Sequence, residues 1–344
     1  MKAAFLEGPG KISVRTVPDP KCPPGGLLTK VEGCAICGSD LRSWESGTRH
    51  VGEIIGHETV ATVIEVGEGV TDFKPGDRIT DVPATCGVCE FCRRGIQNLC
   101  RHRGRIDGPT QGGFAELRPL GRAVLSGGFV LRVPNDLSLE AAVTIEPLAC
   151  VLNGHEKMDI WFDTSVAIIG AGPIGAMHAA VARLRGARKI VVVDLLEKRL
   201  QMALPFGADH LVDSSVNDPV KAVLDLTEGR GVDLVIVACV SASAQKQALQ
   251  MAARNGQVLL FAGLPAEASE VTLDTNLIHY NEITVVGARS SVQRQWELAL
   301  ELIKGGKIDA SKIVTHYVGL DEIEDGFRLA RSGDAMKVAV VPGL

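Results

Sequence analysis

Aromatic residues are scarce: nine Phe, three Trp and two Tyr make up 4% of the 344 residues. So few rings give no sign of a large apolar pocket. A basic excess is also missing. Lys and Arg number 36 against 41 Asp and Glu, for a net charge of −5 and an isoelectric point near 5.9. That argues against nucleic acid as the main partner, because phosphate binding needs a basic face. No run of about eighteen apolar residues occurs, so no membrane-spanning helix is expected. The start, MKAAFLEGPG, has one Lys, an early Glu and Gly-Pro-Gly, which is not a secretory pattern. A cytoplasmic, reducing location is therefore expected. No internal repeat or low-complexity stretch is evident.

What is present is ordinary globular composition, 46% hydrophobic and 22% charged, in a length that suits about two domains. Residues 1–150 read as β-rich. Short apolar stretches such as KISVRTVP, LLTKVEG and TVATVIEVG are broken by Gly and Pro, and DFKPGDRI (72–79) signals a turn between two strands. No long helical period is expected before about residue 138. From about 150 the texture becomes alternating. TSVAIIG (164–170), KIVVVD (189–194), VDLVIVAC (232–239), QVLLFAG (257–263) and ITVVGA (283–288) read as buried strands. Helical stretches separate them, for example SASAQKQALQMAARNG (241–256), except for the last two strands, whose connection has no clear helical period. Such alternation argues for a doubly wound parallel sheet wrapped by helices. VQRQWELALELIKGG (292–306) reads as an amphipathic helix. The closing strand KVAVVPGL is expected to return to the first domain.

Two motifs carry chemistry by their spacing. GAGPIG (170–175) fits G-x-G-x-x-G between a strand and a helix, and Asp194 ends the next strand nineteen positions beyond Gly175. Gly170 permits the tight turn, Gly172 lets backbone approach a pyrophosphate, and Gly175 lets helix and strand pack. Pro173 and Ile174 complete the turn, whose helix N-terminus favours phosphate. Asp194 would accept from adenosine ribose hydroxyls and repel a 2′-phosphate, so NAD is expected over NADP. Lys198 and Arg199 lie close enough to tolerate a phosphate, and Arg199 joins the cofactor-binding set.

The second motif is CGVCEFCRRGIQNLC, where Cys86, Cys89, Cys92 and Cys100 gather four of the nine cysteines in fifteen residues. In a reducing setting such clusters are metal ligands sooner than disulfides. Four thiolates leave no open position, so the expected metal is a structural zinc. An iron–sulfur cluster would need a shorter last spacing and a following Pro. A nucleic-acid zinc module would use the basic neighbours Arg93, Arg94, Arg101, His102, Arg103 and Arg105, against the acidic balance of the rest. Free buried thiols are the plain alternative.

A looser constellation comes from Cys37, Ser39 and Asp40 in CGSD, His57 and Glu58 in GHE, and Glu146 in IEPLAC. A thiolate, an imidazole and a carboxylate are three zinc ligands with a fourth position open. Asp40 would orient His57 through its ring N–H. Singly, each residue also reads as structural: Cys37 as a packed thiol, His57 as a satisfied histidine, Glu146 as a helix-end carboxylate.

CGSD, GHE, the four-cysteine lobe, GAGPIG and IEPLA stand in the order found in zinc-dependent medium-chain dehydrogenases. The chain resembles that family over its whole length, most closely the sorbitol (polyol) dehydrogenase branch, with threonine and sugar dehydrogenases nearby. The resemblance implies a GroES-like β-rich catalytic domain (1–150, with a structural zinc lobe at 86–100), an inserted Rossmann domain (151–288) and a C-terminal segment (289–344) completing the first. It implies catalytic zinc on Cys37, His57 and Glu146, with Glu58 able to exchange in, and Ser39 starting a proton relay. It also implies NAD-linked oxidation of a polyol, cyclitol or sugar alcohol in a homodimer or homotetramer. L-Threonine 3-dehydrogenase and aldose dehydrogenase are the alternatives within the family. A non-catalytic nucleotide-sensing or zinc-dependent nucleic-acid-binding protein is the alternative outside it. Glu146 stands where simple alcohol dehydrogenases have Cys, so primary alcohols are not the expected substrates. Cys150 could compete as a ligand, and Cys34 makes a second C-x-x-C with Cys37. Residues 41–54 should line the substrate cleft, and Arg289 could reach substrate or nicotinamide.

Overall fold

The computed structural model describes all residues except 49, 83, 104–110 and 127–129. Arg49, inside the expected cleft segment, and Arg105, in the basic neighbourhood of the cysteine lobe, therefore lie outside the described residues. Among the described residues seven strands come first: β1 (Lys2–Gly8), β2 (Lys11–Thr16), β3 (Leu27–Ala35), β4 (Glu58–Val66), β5 (Arg78–Asp81), β6 (Leu117–Leu120) and β7 (Val130–Arg132). Six follow: β8 (Ser165–Ile169), β9 (Lys189–Asp194), β10 (His210–Asp213), β11 (Val232–Val237), β12 (Ala252–Leu260) and β13 (Thr284–Gly287). β14 (Val314–Val318) and β15 (Lys337–Val340) close the chain. The chain forms two compact units, Met1–Pro147 with Ser291–Leu344, and Leu148–Ser290.

The first unit is a β1–β2 hairpin and a sheet ordered β14-β15-β3-β4-β5-β7, with β6 also paired to β3. Its pairs are antiparallel except β14 with β15. Alternating apolar residues of these strands meet in the cluster of Leu27, Val63, Ile79 and Leu120. A second cluster joins Leu6, Trp44, Phe114, Phe327 and Val338. Burying each such side chain contributes roughly 1.5–3 kcal/mol. β15 arrives late in the chain yet inserts between β14 and β3, pairing Ala339 with Ala35.

A short helix, Gly38–Ser46, interrupts the β-rich part. It is only nine residues long, too short to show a period, and its caps hold it. Asp40 Oδ2 accepts from the Cys37 N–H at 3.0 Å, and Gly47 ends the helix in the left-handed region at φ 56°.

The second unit is an all-parallel sheet ordered β10-β9-β8-β11-β12-β13. The strands grow away from β8 in both directions, so the switch point lies between β8 and β11 at their carboxyl ends. The expected helix over 241–256 stops at Met251, and β12 already begins at Ala252. Pairing with β11 (Leu234 opposite Gln257) outweighs the helical propensity of the Ala-rich stretch. The connection between β12 and β13 contains a short helix, Thr275–Asn281, capped by Asp274.

Two histidines of this unit are fully buried. His155 ends the helix Ile145–His155, and His178 lies in the helix Pro173–Leu184. Their rings stack at 5.1 Å and 29°, and the Phe261 edge meets His178 at 4.6 Å. No ring nitrogen of either has a hydrogen-bond partner among the described residues. Burial pushes His178 down to about 3. Burial, then His178 and the Arg185 guanidinium, hold His155 well below the usual range.

Candidate metal centres and dinucleotide turn

In the second unit, Gly170 follows β8 at the switch point with φ 110°. A Cβ there would lie 3.0 Å from Cys239 Cβ and 3.1 Å from the Ala238 carbonyl carbon, so the left-handed turn and the close approach both select glycine. At Gly175 a Cβ would lie 1.8 Å from the Gly170 oxygen, so the first helical turn sits directly on the loop. Gly172 caps the helix without a side chain, and Pro173 opens it. The first backbone N–H groups are thus left for an anion.

Asp194 is already engaged. Oδ2 accepts from the Ala171 N–H at 2.7 Å and Oδ1 from the Leu196 N–H at 2.9 Å. The carboxylate therefore ties the turn to β9 while each oxygen keeps a lone pair. The Arg199 guanidinium lies beside Gly172, 3.3 Å from where a Cβ would be. That puts its charge at the turn itself. Lys198 and Arg289 take part in interactions of their own.

In the first unit, the four sulfurs of Cys86, Cys89, Cys92 and Cys100 lie within 4.8 Å of one another. Separations of 3.9 Å (Cys86–Cys92), 3.5 Å (Cys89–Cys92) and 3.6 Å (Cys86–Cys100) bracket the ~3.8 Å edge of a tetrahedron with ~2.3 Å zinc–sulfur bonds. They are far beyond disulfide length. Backbone N–H groups of Cys86, Cys89 and His102 each point at a sulfur at 3.4 Å. Such donors stabilise thiolate, and at Cys89 the backbone N–H groups of Cys92 and Arg101 act the same way, bringing it down to about 6. Among the basic neighbours, Arg101 pairs with Glu90 at 2.5 Å. The lobe fits a four-thiolate zinc.

A second cluster joins Cys37, His57 and Glu58, whose ligand atoms also lie within 4.8 Å of one another. Cys37 caps the Gly38–Ser46 helix and Glu58 is the first residue of β4, so a helix start and a strand start aim both at one point. Asp40 Oδ1 lies 3.4 Å from His57 Nδ1, and Ser39 Oγ lies 3.5 Å from His57 Nε2. Burial works against a proton on His57, but Asp40 and Cys37 outweigh it and hold the imidazole well above its usual value. A metal would have to displace that proton. One Glu58 oxygen, Oε1, is buried without a partner among the described residues. An orphaned carboxylate oxygen beside a thiol and an imidazole fits a cation.

The other Glu58 oxygen is held by a residue the sequence reading passed over. Lys337 Nζ, at the head of β15, donates to Glu58 Oε2 at 2.5 Å and to the Ile36 carbonyl at 3.3 Å. Both side chains are at most 2% exposed. The one signal in the sequence is a lysine placed before a strand that is otherwise apolar. Glu146, in the first turn of Ile145–His155, is not among the three convergent ligand atoms, but its charge acts on both Glu58 and Lys337. Cys150 has an interaction of its own. Cys34 is wholly buried and takes a bond from the Thr59 hydroxyl at 3.4 Å, a packed thiol. Among the described residues no helix is long and apolar enough to cross a membrane.

Residues 23–125 match the alcohol dehydrogenase GroES-like domain, and 173–305 match the zinc-binding dehydrogenase family. Sorbitol dehydrogenase of Halalkalibacterium halodurans is 32% identical, over 97% of each chain. L-Threonine 3-dehydrogenase of Pyrococcus abyssi is 34% identical, over 93% of this chain and 92% of that one. A Sinorhizobium meliloti protein described as a zinc-binding dehydrogenase, solved with NADP, superposes with a TM-score of 0.88 at 33% identity over 99% of both chains. With both domain families matched and the relatives covering nearly its whole length, the chain belongs to the zinc-dependent medium-chain dehydrogenases, nicotinamide-linked oxidoreductases of alcohols.

Proposed function

We propose that this enzyme oxidises a secondary alcohol of a polyol, cyclitol or related sugar to a ketone, with NAD as acceptor. The observation that carries the reading is the convergence of Cys37, His57 and a carboxylate, with the Ser39 hydroxyl set against His57. Cys37 and His57 would hold the catalytic zinc with Glu58 or Glu146 as the carboxylate, and the four-cysteine lobe would hold a structural one. A zinc ion bound there supplies Lewis-acid chemistry, drawing density from an alcohol oxygen so that its proton leaves near neutral pH. The nicotinamide supplies the hydride acceptor.

The remaining parts belong to the protein. Ser39 Oγ takes the hydroxyl proton and passes it outward. The carbinol hydrogen leaves as hydride, so alcohol and NAD⁺ give ketone, NADH and a proton. Asp40 fixes the His57 ring by its contact with Nδ1. Asp194 keeps the phosphate-binding turn in place and sets its negative charge against a 2′-phosphate. Arg199 beside Gly172 would attract the diphosphate. Sorbitol dehydrogenases among the relatives support the polyol reading, and L-threonine 3-dehydrogenases keep that amino acid as the second candidate.

The test is NADH and NADPH formation by zinc-replete protein on hexitols, pentitols, cyclitols, aldoses, L-threonine and simple alcohols. Turnover of polyols or cyclitols with NAD supports the reading. Turnover confined to L-threonine or aldoses would move the substrate class and keep the site. Cys37→Ser or His57→Ala should lose one zinc and turnover while NADH binding survives. Undiminished turnover in either variant would refute the ligand assignment.

A further inference from the structure

We infer that Lys337 is a positioning residue that decides which carboxylate serves the catalytic metal. The inference rests on the metal site proposed above. Glu58 is divided between two tasks: Oε2 is bound to the Lys337 ammonium, while Oε1 stands without a partner beside Cys37 and His57. Lys337 is itself anchored by the Ile36 carbonyl, just past the end of β3, and by its place in β15. It can follow Glu58 only by leaving that anchor. The ammonium thus restrains the carboxylate by one oxygen. Glu58 can visit a metal but is not left on it, and the fourth position stays open to substrate.

Charge counting points the same way. Cys37 as thiolate, Asp40, Glu58 and Glu146 bring four negative charges to the site, with Asp40 and Glu58 buried. A divalent ion offsets two of them, and the Lys337 ammonium offsets a third. Without Lys337 the surplus would grow from one negative charge to two. That charge would pull Glu58 onto the metal and weaken the metal's hold on electron density at an alcohol oxygen.

The experiment compares the full-length protein with Lys337→Met, Lys337→Arg and the double variant Lys337→Met/Glu58→Gln, each loaded with cobalt(II) or zinc. In Lys337→Met the cobalt visible spectrum should change toward a carboxylate-richer, higher-coordinate form, and zinc release to a chelator should slow several-fold. The pH at which kcat/KM reaches half its maximum should rise by about one unit. Lys337→Arg should keep the wild-type spectrum and pH profile. The double variant should restore both, because the freed carboxylate is gone. An unchanged cobalt spectrum and pH profile in folded Lys337→Met would overturn the inference. If that variant does not fold, the double variant decides, since it leaves no buried charge unpaired. Its zinc release should match wild type, and release about tenfold faster would make Glu58 a resting ligand and overturn the inference. Failure of the underlying metal reading is separate: it would appear as zinc retention in Cys37→Ser.

Discussion

Acid should destabilise the dinucleotide-binding unit through the His155–His178 stack. His178 sits near 3 in the folded chain, against about 6.5 when unfolded. A group with a depressed folded value leaves stability intact above its unfolded value. That stability is lost as pH falls from about 6.5 toward the folded value. Between about pH 7.5 and about pH 5 the loss for His178 alone is about 2 kcal/mol, from ~1.5 units at ~1.36 kcal/mol each. His155 shifts in the same direction and adds to it. The burial is complete and no ring nitrogen has a partner among the described residues, so solvent screening does not reduce the figure. The assay is hydrogen exchange of amides in Pro173–Leu184, corrected for intrinsic pH dependence and converted to opening free energies. Wild type should lose about 2 kcal/mol of protection over that interval. His178→Leu, which fills the space without a titrating group, should lose markedly less. Parallel curves for the two proteins would refute the reasoning and imply that water or a rearranged partner satisfies the rings.

Two further outcomes test the frame of the sites. Gly175→Ala places a methyl 1.8 Å from the Gly170 oxygen. The turn must open, and NADH affinity measured by fluorescence titration should fall at least about tenfold with the catalytic zinc retained. Cys100→Ala removes one vertex of the sulfur tetrahedron. Metal analysis should show one zinc equivalent lost, and proteolysis should cut within residues 86–100 at concentrations that leave wild type intact.

The parts legible in the sequence are those whose chemistry is local. The four cysteines are close enough along the chain for a single loop to gather them, so their spacing nearly states their geometry. GAGPIG is similar, because a left-handed glycine, a bare helix start and a following helix are all encoded within a few residues. Cys37, Ser39 and Asp40 belong to one short helix start, and the resemblance supplied the role that their spacing left open. The parts not legible depend on distant pairing. Glu58 and Lys337 stand 279 positions apart, and nothing near either announces the other. The stop of the helix at Met251 is set by β11, not by the Ala-rich stretch itself. His155 and His178 read as ordinary helix residues until two helices bring their rings together. Asp194 shows a mixed case: its place at the end of β9 was readable, but its grip on the Ala171 and Leu196 N–H groups was not.

The late strand β15 has a consequence for the order in which the molecule can be made. A ribosome delivers Glu58 long before Lys337, a gap of 279 residues. At about 5–20 residues per second that gap lasts tens of seconds. Throughout it, β3 has no β15 beside it, and its Cys34–Ala35 end stays unpaired on that side, although β6 can already cover Leu27–Lys30. Glu58 meanwhile lacks its ammonium, so a nascent chain that captures zinc does so with an unrestrained carboxylate. The final strand therefore completes the sheet and the charge of its metal site in a single event, after every zinc ligand has already been synthesised.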